Sequence, residues 1–326
     1  MNPLNNLLDP AILFFVFGVF AGLVRSNLEV PQAIARFLSL YLLMSVGLKG
    51  GFSLAHTGFG PQVVGGLAAA AVLSLLIPAL GYVVLRRKLA RYDAAAVAAT
   101  YGSVSATTFI AATQFLSAQD VPFGGHMAVA LVLMESPAVI MAVGLAAWVR
   151  RREGQEAGAS LGSSASHILK EAFTDGANLL LLGSLAIGWV TGDQGKLMME
   201  PFSGALFKGM LALFLLDLGL LVARHLPALR TTPPALLAYG VVGPLVHGLI
   251  AIGFARVLGL DAGDATLLTV LAASSSYIVV PAVLRHAIPE ANPGLYLGLS
   301  LGVTFVFNIL IGIPLYAGVV MRLWGV

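Results

Sequence analysis

The chain has 326 residues, of which 58% are hydrophobic and 10% charged, with a mean hydropathy of +0.92. A soluble domain carries about 25% charged residues, so this composition excludes a soluble globular protein and places the chain in a bilayer. The net charge is only +3 and there is no cysteine, which excludes disulfides, thiolate metal sites and cysteine nucleophiles, while the pI near 9.3 bears on membrane orientation rather than on nucleic acid.

The opening "MNPLNNLLDP" has one acid and no Lys or Arg, so no basic region precedes the first apolar run, which argues against a cleaved leader. A membrane span needs about 20 mostly apolar residues, and clusters of Gly, Pro and charge mark the breaks. On that basis the sequence predicts ten spans, at 10–24, 34–53, 62–86, 93–117, 124–149, 173–192, 203–223, 234–258, 264–287 and 294–323. The longest polar stretch, "RRREGQEAGASLGSSASHILKEA", runs from Arg150 to Ala172 near the chain's midpoint. It reads as a linker between a first five-helix repeat at 1–149 and a second at 173–326. Arg25, Arg36, Arg86, Arg87, Lys88, Arg91, Arg150, Arg151, Arg152, Lys170, Arg224, Arg230 and Arg285 all fall on one side of such a topology, against Lys196, Arg256 and Arg322 on the other. The excess of basic residues marks the cytoplasmic side. The expectation is therefore a multi-pass protein of the plasma membrane (the bacterial inner membrane) with the linker inside and both termini outside.

Halves that start on opposite sides invite a search for an inverted repeat. Sliding the chain by 171 residues pairs Asp93 with Asp264, Ser103 with Ser274, Ser105 with Ser276 and Ala111 with Ala282, so that "YGSVSATTFIAA" lies over "AASSSYIVVPAV". A shift of 172 lays "LMSVGL" over "LLDLGL". Both polar clusters then fall in the middle of equivalent spans. Gly102 is flexible, serine hydroxyls compete for helix backbone bonds, and Pro281 removes a donor, so spans 4 and 9 read as interrupted helices. Irregular backbone at membrane depth is tolerated only beside protein or a watery cavity. Two broken helices crossing near the midplane offer half-helix N-termini to an anion and freed carbonyls and hydroxyls to sodium. Small and hydroxyl residues also let membrane helices pack closely; the coincidence of two clusters in one register favours interruption. The fold class expected is an all-α integral membrane protein of ten transmembrane helices in two inverted five-helix repeats.

Charge at bilayer depth marks a pathway or a paired site. Glu135 in "LMESPAV", Asp217 in "LLDLGLL" and Asn308 in "FVFNILIGIP" are the candidate cation-binding residues, with a sodium ion placed near Glu135 and Ser276. The plainer alternative for Asp217 is a cap on a broken helix or a pair with Lys49. His247 and His286 read as packing residues, and His126 and His167 lie at span edges. No phosphate-binding loop or paired His-Glu zinc motif is present in the sequence. The serines come as two matched clusters without a single nucleophile, so an intramembrane hydrolase is not expected.

With these residues set out, the chain resembles the sodium-dependent bicarbonate transporter family known from cyanobacteria, along nearly its whole length. The portions that carry the resemblance are "YGSVSATT", "MESPA", "GPLVHGLIA", "LAASSSYI" and "IPEANPGLYLG". It implies a trimer of ten-span subunits that imports bicarbonate with sodium and is inhibited from the cytoplasm by a small PII-like protein, which would meet a short linker here. The family's substrate region falls on Gly102, Ser103, Ser105 and Thr107 in the first half and on Ser274, Ser275, Ser276 and Tyr277 in the second. Its acid in the fifth span falls on Glu135, where the cyanobacterial pattern has aspartate. After the triple serine that pattern has an aspartate and small residues, whereas this chain has Tyr277, Ile278, Val279 and Val280, so a less polar pocket is expected. The function expected is a secondary transporter, not an enzyme, taking up bicarbonate or a similar small monoanion with sodium as coupling ion and no other cofactor. A carrier for another organic anion, a proton-coupled exchanger using Glu135 and a non-transporting membrane sensor are the alternatives.

Overall fold

The computed structural model describes residues 8–58, 60–152, 176–230 and 232–326, and these are helical with no strand among them. The helices are α1 (Pro10–Leu23), α2 (Gln32–Thr57), α3 (Pro61–Leu85), α4 (Arg91–Gly102), α5 (Ala106–Ser117), α6 (His126–Arg152), α7 (Gly176–Met199), α8 (Phe207–Leu229), α9 (Pro234–Val257), α10 (Ala262–Ala273), α11 (Val279–Ala287), α12 (Pro293–Leu297) and α13 (Ile313–Trp324). Six continuous stretches are long and apolar enough to cross a membrane, while α1 and α10 are shorter apolar helices. The predicted spans coincide with these elements once α4 with α5, α10 with α11, and α12 with α13 are joined.

Local sequence sets many of the boundaries. Asp9 accepts the Ala11 N–H at 2.8 Å and Pro10 opens α1, since proline's missing donor costs nothing at a first helical position. Pro61, Pro234 and Pro293 stand in the first turns of α3, α9 and α12 in the same way.

Three boundaries differ from expectation. The first is the linker: α6 stays helical through Arg152, and the remainder to Ala172 lies outside the described residues, as do Lys170, His167 and the expected start of the sixth span. The second is the stretch after the polar "TGDQG": the helix breaks at Gly192 (φ 51°, ψ −135°), where the sixth span was expected to end, but helix resumes beyond the kink to Met199, and a π-helical stretch at Glu200–Ala205 leads into α8. Glycine alone takes that positive φ without strain, so Gly192 is where the chain can turn between two helical pieces. The third is the tenth span, which is π-helical over Gly298–Phe305 and Asn308–Gly312 between α12 and α13. Its uninterrupted apolar pattern gave no sign of the wider turn.

Packing follows the glycines. Gly47 and Gly51 of α2 meet the backbone of α7 at Leu181, Leu185 and Gly188, and Gly18 of α1 meets α8 at Leu216 and Gly219, so these two pairs lie with backbones nearly touching, as small residues permit. On the other side α3 packs on α4 and α6, and α9 on α10. The half-helices α4 and α10 are each 12 residues long and sit at the centre, with Ala94–Gly102 and Gly263–Ala273 buried on every face. At the arginine-rich end, Arg150 reaches both Glu290 oxygens at 3.0 Å and the Ala287 carbonyl at 2.9 Å. Desolvation raises the Glu290 carboxyl, but the Arg150 bonds prevail and hold it below the usual carboxylate range.

Candidate substrate site at the crossing of two broken helices

Each broken helix stops where its serines begin. Ser103 and Ser274 are both extended (ψ 178° and 176°) and follow the last helical residues Gly102 and Ala273. Gly102 is needed here because a Cβ would strike the ring of Pro78. Ser105 restarts the first helix as the N-cap of α5, its hydroxyl accepting the Thr108 N–H at 3.1 Å in the ordinary manner of a capping serine. The N-cap of α11 is Ile278, and Ser276 two residues before it accepts the Val280 N–H at 3.3 Å.

The two interruptions are stitched together. The Ser276 N–H donates to the Thr100 carbonyl at 2.8 Å, the Ser105 N–H donates to the Ser274 hydroxyl at 3.0 Å, and the Ser275 hydroxyl donates to the Thr100 carbonyl at 3.2 Å. Ser275 is also 2.7 Å from the Ser300 hydroxyl on the tenth span. Asn308, fully buried, gives its amide to the Ala273 carbonyl at 2.8 Å and accepts from the Tyr316 hydroxyl at 3.2 Å. Tyr101 donates to Thr304, which donates to the Gly240 carbonyl. Backbone groups freed by the breaks are thus answered mainly by other protein groups, as burial demands. The hydroxyls of Ser103 and Thr108 are buried with no hydrogen-bond partner among the described residues.

Beside the crossing lies a cavity of about 160 Å³. Residues Val104 to Thr107 and Ser276 to Val279 line it, so the N-terminal ends of α5 and α11 both face it. Glu135 from α6 and Asn178 from α7 form another wall, with the Asn178 amide donating to Glu135 Oε2 at 2.7 Å. Tyr277 spans the cavity's edge, its hydroxyl donating to Thr107 Oγ1 at 2.8 Å while its ring packs edge-on to Phe305. Among the described residues no Arg or Lys lines the cavity, and Glu135 is its one carboxylate.

Of the residues expected at the site, Ser105, Thr107, Ser276, Tyr277 and Glu135 share this cavity. Gly102, Ser103, Ser274 and Ser275 are buried behind it in the crossing. Asn308 is not at the cavity, being committed to the end of α10. Asp217 does not line it either; it stands three residues beyond Phe214, which does, and half-buried on α8. Lys49 does not pair with Asp217 but lies over the Phe207 ring, 4.2 Å from its centroid. Asn178, Ser39, Phe214 and Ser300 were not singled out in the sequence. Asn178 is a polar residue at the foot of an apolar span, which is a signal; Ser39 and Ser300 are isolated small residues of the kind that packing also uses.

The chain's sequence matches the Na+-dependent bicarbonate transporter superfamily over residues 10–321. None of the curated proteins compared with it matches. The chain belongs to the Na+-dependent bicarbonate transporter superfamily, a family of membrane transporters and not of enzymes.

Proposed function

We propose that this member of the Na+-dependent bicarbonate transporter superfamily imports bicarbonate, or a monoanion of the same size, together with sodium by alternating access. The observation that carries the reading is the cavity faced by two half-helix N-termini and one carboxylate. N-terminal N–H groups and the dipoles behind them favour an anion, and the hydroxyls of Ser105, Thr107 and Ser276, each already accepting a bond from the protein, keep their own protons to donate to a planar oxyanion. An anion alone would meet Glu135 with repulsion. A sodium ion held by Glu135 and Ser276 removes that conflict, which gives the coupling its physical reason. The freed carbonyls are weaker candidates for sodium, since Thr100 and Ala273 already accept bonds from the protein. At about 160 Å³ the cavity is smaller than the roughly 300–1,000 Å³ of sites for drug-sized ligands, which favours a small anion over a large organic one.

In this reading the inverted repeat is the device that produces the site. Two 12-residue half-helices separated by the same 171 positions as the serine pairs, with Asp93 and Asp264 each accepting a loop N–H from the opposite half (Asn292 at 2.8 Å and Gly124 at 2.6 Å), support it. The bundle holding the broken helices then moves against the α1–α8 and α2–α7 pairs. Protonation of Glu135 in place of sodium binding is the second reading that the same lone carboxylate permits.

Labelled bicarbonate uptake into proteoliposomes separates them. Uptake is expected with an imposed sodium gradient and not when potassium replaces sodium at constant membrane potential. Uptake driven by a pH gradient without sodium would assign Glu135 to protons, and no uptake by folded protein under either gradient would overturn the substrate.

A further inference from the structure

A second cavity, of about 340 Å³, lies at the end of the helices away from the arginine-rich loops. The connections α2–α3, α5–α6 and α9–α10 meet there, and Ser53, Gln62, His126, Asp261 and Asp264 contribute its polar walls. His126 begins α6 and is only 3% exposed, and its Nε2 is buried with no hydrogen-bond partner among the described residues. Facing it is Asp264, in the first turn of α10. Asp264 Oδ1 accepts the Gly124 N–H at 2.6 Å, which fixes the carboxylate's rotation and leaves Oδ2 at 3.6 Å from His126 Nε2. That separation is too long for a hydrogen bond. Asp261 sits at the α10 N-cap without bonding the helix backbone, and its charge acts on both His126 and Asp264.

A neutral imidazole nitrogen and a carboxylate oxygen buried face to face, within ion-pair distance but not hydrogen-bonded, stand as two ligands of one ion would. Zinc takes nitrogen at about 2.0–2.1 Å and carboxylate oxygen at about 2.0–2.2 Å, so two ligands of one tetrahedral ion stand about 3.4 Å apart. The observed 3.6 Å needs a shift of only a few tenths of an ångström. Imidazole with carboxylate suits zinc, cobalt or nickel, whereas sodium, calcium and magnesium take oxygen sets. We propose that this cavity binds a divalent transition-metal ion, with His126 and Asp264 as its side-chain ligands and Asp261 completing the charge. No three His, Cys, Asp or Glu side chains converge on one point among the described residues. Water therefore fills the remaining positions, and the affinity falls well below that of closed structural zinc sites. The site is at the far end of α10 from the serines and is independent of which substrate crosses the membrane.

Cobalt binding to the purified full-length chain tests it. The exposed pair His56–Asp193, 2.8 Å apart on the same side, is the competing site and is removed by His56→Gln. In that background the expected result is one Co2+ per chain, with visible absorption that Zn2+ displaces, and affinity at least tenfold lower after His126→Gln. Asp264→Asn keeps an acceptor for Gly124 and should weaken binding similarly. X-ray absorption at the cobalt edge of the His56→Gln chain, which needs no change in the cavity, should show one imidazole. Undiminished binding in a folded His126→Gln or Asp264→Asn chain, or a cobalt environment without imidazole, would overturn the proposal.

Discussion

Ser275 turns its hydroxyl to Thr100 and Ser300 inside the crossing, while its neighbour Ser276 faces the cavity. The two therefore have separable effects. Ser275→Ala removes a buried bond and strands Ser300; a typical net hydrogen bond contributes about 0.5–1.5 kcal/mol and an unsatisfied buried partner costs about 1–3. The expected outcome is a loss of about 1–2 kcal/mol in unfolding free energy with KM for the transported anion within about twofold of the parent. Ser276→Ala takes a hydroxyl from the cavity and should raise KM roughly 5- to 30-fold, the equivalent of about 1–2 kcal/mol, with assembly intact. Paired uptake kinetics and thermal unfolding decide it, and equal KM values for both variants would return the serine cluster to a packing role. At Tyr277 the aromatic ring is anchored against Phe305 and its hydroxyl is spent on Thr107, so the residue narrows the cavity without removing its polarity.

Among elements, the contact between α2 and α7 is made by glycines whose neighbours leave no room. A Cβ on Gly51 would meet the Leu185 carbonyl and the Trp189 nitrogen, whereas one on Gly183 would meet nothing. Overpacking a well-filled contact costs typically about 1–3 kcal/mol. Gly51→Val is thus expected to lower the melting temperature of the detergent-solubilised chain, and Gly183→Ala to leave it unchanged or slightly raised, since alanine is the better helix former. If Gly51→Val melts with the parent, the two helices are not packed this closely in the membrane. The broken helices follow a different rule: α4 and α10 are enclosed by protein on every side, and 94% of the most apolar window of Arg91–Ser117 is buried, which is the condition under which interrupted backbone survives at bilayer depth.

For the molecule as a whole, the connections α1–α2, α3–α4, α8–α9 and α11–α12, with the helix ends that flank them, hold nine of the eighteen Lys and Arg residues, and Arg150, Arg151 and Arg152 at the end of α6 add three more at the same end. The positive-inside rule predicts that this is the cytoplasmic end and that the cavity of His126 and Asp264 is the outer one. Since the chain has no cysteine, single cysteines report sidedness cleanly. An impermeant maleimide applied to intact cells should label Gln119→Cys, at the turn after α5, and should reach Gly158→Cys in the linker only after permeabilisation. The opposite pattern would invert the orientation and with it the direction proposed for uptake.

The sequence by itself determined that this is an all-helical, multi-pass membrane chain, and that the helices at 93–117 and 264–287 are interrupted. Length, hydropathy and the placement of Gly102, the serines and Pro281 are local properties, and local backbone chemistry reads them directly. It also brought forward Ser105, Ser276 and Glu135, because polar groups at membrane depth are conspicuous, while Thr107 and Tyr277 came through the family resemblance. Tertiary structure alone decided which of them face a common cavity. Asn308 and Ser275 carry the same polar atoms as their neighbours, but their hydrogen bonds go to Ala273, Thr100 and Ser300, partners distant in the chain that no periodicity encodes. His126 and Asp264 are 138 positions apart and become neighbours only when α6 and α10 pack end to end. A buried polar group takes its role from whatever the fold sets against it, and that pairing is a long-range property.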